Sequence, residues 1–226
     1  MLRTGLADPP LRRPLGRPNP WATKRTCNPL IHIGNMTMKF LNAMTVGLML
    51  AGLPLASHAE DMSYSFVDLG YIKTDIDGVS SSPDGFGLRG SVGFAEQFFV
   101  FAGYSNLSES GADFDQITVG LGGHYGLSDN LDLVGRAGWF NVDASGSGGS
   151  FDDDGYLVSA GLRGKVGTSV ELEASVIYSD LGGSIGDDTT FAVAGRYYFT
   201  RNFAVGAEYQ DDGDSSAILL GGRYSF

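Results

Sequence analysis

The chain has 226 residues and a formal net charge of −11, placed unevenly: residues 1–59 carry seven Lys/Arg and one Asp, whereas residues 60–226 carry eight Lys/Arg against twenty-five Asp/Glu, a net of −17. Such acidity argues against nucleic acid as a partner, since a binder neutralises phosphates with Lys and Arg. The one Cys, Cys27, lies in the first part, so residues 60–226 have neither a disulfide framework nor a Cys-based metal site.

Residues 1–37 are rich in Arg and Pro and do not fit a leader, so translation from Met36 or Met38 is expected, the alternative being a disordered basic tail. Residues 38–59 have a short basic start, an apolar run and small residues at Ser57 and Ala59. They read as a secretory signal cleaved after Ala59. The apolar run contains Pro54 and is shorter than the roughly 20 residues of a spanning helix. Cys27 follows Arg25-Thr26 and lacks the apolar lead-in of a lipid-anchor site.

Residues 60–226 show period two throughout, in ten segments: 63–74, 85–94, 98–106, 114–126, 131–141, 155–166, 170–179, 190–199, 203–210 and 216–226. In the fourth, Ile117, Val119, Leu121 and Tyr125 alternate with Gln116, Thr118, Gly120, Gly122 and His124. In the sixth, Tyr156, Val158, Ala160 and Leu162 alternate with Ser159, Gly161, Arg163 and Lys165. Alternation alone fits a sandwich or a barrel. The links decide: longer ones (75–84, 107–113, 142–154, 180–189, 211–215) alternate with tight ones (95–97, 127–130, 167–169, 200–202). An up-and-down transmembrane barrel puts these two sets at opposite ends. All-β, ten antiparallel strands is therefore the expected fold, with eight as the alternative. The longer links hold fifteen Asp/Glu and no Lys or Arg, which predicts a negative external rim. Aromatics near the segment ends, such as Tyr71, Tyr104, Trp139, Tyr178, Phe203 and Tyr209, suit interfacial girdles.

The polar faces carry Asp68, Arg89, Arg136, Arg163, Lys165, Glu171, Glu173, Arg196, Glu208 and Arg223, expected to point into the lumen and pair across neighbouring strands. A lumen filled in this way is closed or nearly so; a narrow cation-preferring channel behind the acidic rim is the alternative. A barrel hydrolase fits least, because His124, the one His after residue 59, has no nucleophile at a recognisable spacing. Asp152-Asp-Asp154 and Asp211-Asp-Gly-Asp214 lack the spacing of a calcium loop. No metal or cofactor is expected. The chain ends in an alternating strand whose last residue is Phe226, where soluble domains fray in polar residues. Gly221, Tyr224 and Phe226 look like the C-terminal signal read by the barrel insertion machinery, and their strand must pair with Val67, Leu69 and Tyr71 to abolish the sheet edge.

Gly70-Tyr71, Asp84-Gly-Phe-Gly-Leu88, Phe101-Ala-Gly-Tyr-Ser105, Asp113-Phe-Asp-Gln116, Val119-Gly-Leu-Gly122, Asp132-Leu-Val-Gly-Arg136 and Asp153-Asp-Gly-Tyr156 carry a family resemblance. Through them the chain from Tyr64 to Phe226 resembles small OmpA/OmpX-like outer-membrane barrels of plant-associated and opportunistic gammaproteobacteria, some described as immune-activating or diffusible-signal-dependent proteins. The resemblance implies a bacterial outer-membrane location and export in vesicles, and it transfers no catalytic residue. The expected role is structural or surface-interacting, as a monomer. The expected partners are outer-membrane lipid and lipopolysaccharide, the insertion machinery, and host or cell-surface receptors.

Overall fold

The computed structural model describes residues 62–78, 82–146, 148–182 and 186–226. The signal at 38–59, with Ser57 and Ala59, and the segment 1–37 lie outside the described residues. Ten strands follow one another: β1 Phe66–Ile76, β2 Asp84–Ala95, β3 Phe98–Glu109, β4 Ala112–Ser128, β5 Leu131–Gly146, β6 Gly149–Val166, β7 Val170–Leu181, β8 Gly186–Tyr198, β9 Phe203–Asp211 and β10 Ser215–Ser225. Each pairs antiparallel with the next, and β10 closes on β1, giving a ten-stranded up-and-down barrel. The closing seam joins Val67 to Tyr224, Leu69 to Gly222 and Tyr71 to Leu220, as the alternation requires.

The strand limits differ from the sequence expectation at several points, among them β8, which begins at Gly186 where Thr190 is expected. Residues 63–65 precede β1, and Tyr64 turns into the barrel instead of extending the wall. The long links at 107–113 and 142–154 are mostly strand. Glu109 pairs with Ala112 across a two-residue turn, in which Ser110 (φ 49°) and Gly111 (φ 83°) both take the left-handed geometry of a type I′ hairpin. Gly146 likewise pairs with Gly149. β4, β5 and β6 therefore run to 17, 16 and 18 residues, while the other strands have 9 to 13. One side of the wall stands above the rest, and most of the acids expected in loops are on strands.

The outer surface is apolar. Val67, Leu69, Leu88, Val119, Leu121, Leu162, Val176, Val205 and Leu220 are exposed on it, and a surface of that kind belongs in lipid, not water. Two aromatic belts bound it. Tyr71, Phe86, Tyr104, Trp139, Tyr156, Phe191 and Tyr209 lie toward the tall end, and Phe94, Phe98, Tyr125, Tyr197, Phe199, Phe203, Tyr224 and Phe226 toward the short turns. Tyr178 is half-buried, with its ring 6.3 Å from that of Tyr156.

A bore of ten strands is wider than the eight-stranded bore that side chains just fill, so long inward residues face very small ones. The Phe99 ring lies on Gly122, where a Cβ would meet it at 2.1 Å, and the Phe101 ring lies on Gly120, where a Cβ would meet it at 2.4 Å. Gly122→Leu is accordingly expected to leave no folded, heat-modifiable species on a semi-native gel; a normal gel shift would refute this packing argument.

Candidate functional site: the lumen and the acidic rim

Alternation sends every second side chain inward, and the inward set forms two layers. In the lower part, toward the short turns, β1, β2 and β5 to β10 contribute charged groups. Asp68 receives two bonds from one guanidinium: Arg223 Nε donates to Oδ1 and Nη2 to Oδ2, both at 2.7 Å. Arg89 reaches Glu208 Oε2 at 3.0 Å and Asp68 Oδ2 at 3.6 Å. Glu171 accepts from Arg163, and from Arg196 Nη1 at 2.9 Å, with Arg223 Nη1 at 3.6 Å. Arg136 and Arg196 both donate to Glu173, at 2.7 and 3.1 Å. Gln210 donates to Glu208 as well.

All ten lumen charges read from the sequence are buried. Nine join this network, and Lys165 lies beside it with its Nζ 5.2 Å from the centre of the Tyr198 ring. The expected pairing across neighbouring strands is only part of the pattern. Arg89 of β2 bonds Glu208 of β9 and Arg136 of β5 bonds Glu173 of β7, so guanidinium arms reach past one or two intervening strands as well as to adjacent ones. Such ions are tolerable in a low-dielectric interior because each faces an opposite charge, and Asp68, Glu171 and Glu173 each face at least two guanidinium groups. A cavity of about 20 Å³ lies between Asp68, Arg89, Arg196, Glu208 and Arg223, space for about one water.

Above the charges, toward the tall end, many inward residues are apolar, with the buried polar side chains of Thr74, Gln116, Ser179, Thr190 and Gln210 among them. Ile72, Ile76, Leu107, Phe114, Phe140, Val142, Ala144, Leu157, Ile177, Leu181, Ala192 and Leu219 belong to one buried hydrophobic cluster. This layer corrects the expectation of a uniformly polar inner face. Its signal was in the sequence: Ile218-Leu219-Leu220, Tyr156-Leu157-Val158 and Trp139-Phe140 are apolar on both faces, the mark of strands buried on both sides.

At the other end Tyr64 lies inside the mouth. Its side chain is fully buried, stacks 4.3 Å from the His124 ring and 5.1 Å from Phe99, and donates from its hydroxyl to Asp132 Oδ2 at 2.8 Å. Burial, above all, pushes the Tyr64 phenol up from its ordinary value. His124 is held between Asp132 Oδ2 (Nδ1, 3.3 Å) and the Glu96 carbonyl (Nε2, 2.9 Å). Its place is a packing and hydrogen-bonding one in the lower mouth.

The rim carries a second pattern. Just above the upper aromatic belt, Tyr71 donates to Asp84 at 2.9 Å, Trp139 Nε1 to Asp154 at 3.1 Å, Tyr156 to Asp180 at 3.0 Å and Tyr209 to Asp211 at 2.7 Å. Tyr104 donates to Asp115 in the same way. Each of these five aromatics thus keeps its ring against the apolar surface and its polar atom on a carboxylate at the water side. Of the assembly residues, Tyr224 and Phe226 face outward in the lower belt, with rings 6.2 Å apart, and Gly221 faces inward. A Cβ on Gly221 would meet the Leu69 carbonyl oxygen at 2.5 Å.

No family model matches the chain, and no curated protein matches it in sequence. Solved structures do. The KdgM porin in complex with disordered oligogalacturonate is 15% identical over 72% of this chain and 99% of its own, with a TM-score of 0.41. The Yersinia pestis outer membrane protein Ail in a phospholipid bilayer nanodisc is 19% identical over 72% of this chain and 98% of its own, at 0.40. The translocator domain of the autotransporter NalP from Neisseria meningitidis is 13% identical over 87% and 98%, at 0.40. These likenesses are ones of fold. The closed antiparallel wall, its apolar exterior and its two aromatic belts give this chain the build of an outer-membrane β-barrel.

Proposed function

We propose that the protein sits in a bacterial outer membrane and works there as a surface-interaction protein, with a lumen that does not conduct. The observation that carries this reading is the filling of the bore by buried side chains: a largely apolar layer containing Phe140, Leu157, Ile177 and Leu219 lies above a buried network of four carboxylates and five guanidinium groups. Ions crossing it would shed water among the apolar side chains and then displace paired charges. With the bore closed, the parts left to meet other molecules are the rim and the wall that rises above it.

The exported leader at 38–59 and the terminal Phe226 support the address and assembly: Phe226 serves as the insertion signal and then packs in the lower belt. The outward carboxylates Asp84, Asp154, Asp180 and Asp211 stand at headgroup level, where divalent cations join them to lipopolysaccharide phosphates. A narrow cation-preferring pore is the second reading, favoured by the acidic rim and opposed by the apolar layer beneath it. Planar-bilayer recordings on the refolded protein decide between them. The expected record is silent over the range in which porins conduct, and stable open steps would overturn the closed-lumen reading.

A further inference from the structure

One corner of the rim holds two carboxylates in contact. Pairing between β8 and β9 begins only at Phe191 with Asp211, while β8 pairs with β7 from Gly186 onward. Residues 186–190 are thus laddered on the β7 side, and toward β9 they stand beside the turn from Asp211 to Ser215. Asp188 lies in this stretch, beyond Phe191 of the upper belt and so on its water side. It shares the parity of Thr190 and Ala192, both buried, so its side chain leans over the mouth and not outward.

The turn that it meets is built around one carboxylate. Asp212 Oδ1 accepts from Asp214 N at 2.9 Å and from Ser215 N at 2.6 Å, and its Oδ2 accepts from Ser215 Oγ at 2.7 Å. Asp212 N in turn donates to the Ser215 carbonyl at 3.1 Å, and Gly213 supplies a left-handed φ of 91°. Asp212 is therefore fixed by its own turn. Asp188 is the opposite case: its Oδ1 accepts from Thr189 N at 2.6 Å, but Oδ2 is buried and receives no hydrogen bond. What lies within hydrogen-bonding reach of it is the Asp212 carboxylate. Two carboxylates in contact bond only when a proton lies between them.

The groups around the pair are acids too. Asp214 adds its charge to that of Asp212, and Asp77 donates its N–H to the Asp214 carbonyl at 3.0 Å, bringing one more acid to the turn. On β7 the residue directly opposite Asp188 is Ser179, and Asp180 is opposite Asp187. Asp211 of β9 is engaged with Tyr209 and with Gly213 N. Burial first, and the Asp212 charge second, push the Asp188 carboxyl up from its ordinary 3.8 to about 6. Between those values the folded corner binds a proton that the unfolded chain releases, so the contact is fully made in the ordinary carboxylate range and is lost as pH rises through about 6.

We propose that Asp188 and Asp212 share one proton and act as a pH-operated clasp, which ties the upper end of β8 to the β9–β10 turn in acid and lets them part at neutral pH. The proton comes from solvent, sits on Asp188 Oδ2 and is donated to Asp212. The clasp stands above the apolar layer, so it alters the rim and leaves the bore as it is. It goes beyond the surface-interaction reading and does not depend on it.

The test uses the full barrel in lipid nanodiscs, with carbon NMR of labelled Asp carboxyls and with amide exchange expressed as protection factors, which removes the intrinsic pH dependence of exchange. Asp188→Asn assigns the signal by its loss. The expected result is a carboxyl at position 188 that titrates at about 6. Protection of the Thr189 and Thr190 amides should fall about three- to tenfold between about pH 5 and about pH 7.5, the worth of one hydrogen bond. Asp188→Asn gives Asp212 a permanent donor and should keep protection high at both pH values, whereas Asp188→Ala should keep it low at both. Folding of each variant is checked by the heat-dependent gel shift. A carboxyl at 188 that titrates near its ordinary 3.8, protection that does not change with pH in the unaltered chain, or an Asp188→Asn barrel whose protection still falls with pH would each overturn the clasp.

Discussion

Glu171→Gln is expected to destabilise the barrel by about 3–5 kcal/mol, the usual cost of breaking a buried ion pair from one side. The substitution keeps the size and shape of the side chain and removes only its charge. That charge faces Arg163, which is fully buried, Arg196 at 2.9 Å and Arg223 at 3.6 Å. Tyr198 donates to it as well, at 3.4 Å. All three arginines are buried, with the largely apolar layer above them and Tyr64 below. The measurement is the urea midpoint of barrel unfolding, followed by the heat-dependent gel shift. Adding Arg163→Gln should recover part of the loss, since the double variant no longer buries the stranded charge. A shift under about 1 kcal/mol would show that the network is loosely hydrated and not a seal. Bilayer recordings on Glu171→Gln should stay silent, because the apolar layer is untouched.

Phe140→Ala is expected to cost about 3–5 kcal/mol as well, through the lost contacts and the void left behind. Phe140 is fully buried, and its ring lies so close to Gly155 that a Cβ there would meet it at 2.8 Å. The neighbours belong to β-strands fixed by ladder pairing on both sides, so collapse into the space is limited. The resulting cavity has an apolar lining and should remain dry, leaving the recordings silent. A loss below about 1 kcal/mol would mean that the upper bore is loosely packed and that its closure has another source. The two variants together separate the layers: one tests charge pairing, the other packing.

The number of strands, their order and the outward face were legible because each depends on period two, and the lipid-facing alternation at Ile117, Val119 and Leu121 or Tyr156, Val158 and Leu162 is uninterrupted. The strand ends at the rim were not. Asp, Gly and Ser between 107 and 113 and between 142 and 154 have the composition of loops, but above the membrane both faces of a strand can be polar. The remaining sign was faint: Phe114, Val142, Ala144 and Phe151 keep the inward parity through that stretch. The lumen charges were legible as a set, since their parity places them. Their partners were not, because the bonds from Arg89 to Glu208 and from Arg136 to Glu173 join strands that are not neighbours. Tyr64 was missed as a residue of the mouth because it shares the parity of Phe66 and reads as one more strand residue.

Nine of the ten strand pairings join consecutive strands and form locally, and the tenth joins the two ends of the chain. The bidentate bond between Asp68 and Arg223 lies on that last seam, where the two residues are directly opposite. A closure slipped by two residues would keep every side chain on its proper face yet set Asp68 opposite Gly221 or Ser225 and strand Arg223 in the interior. The charge network thus proofreads the register: of the cylinders the same hairpins could close, only one satisfies its arginines.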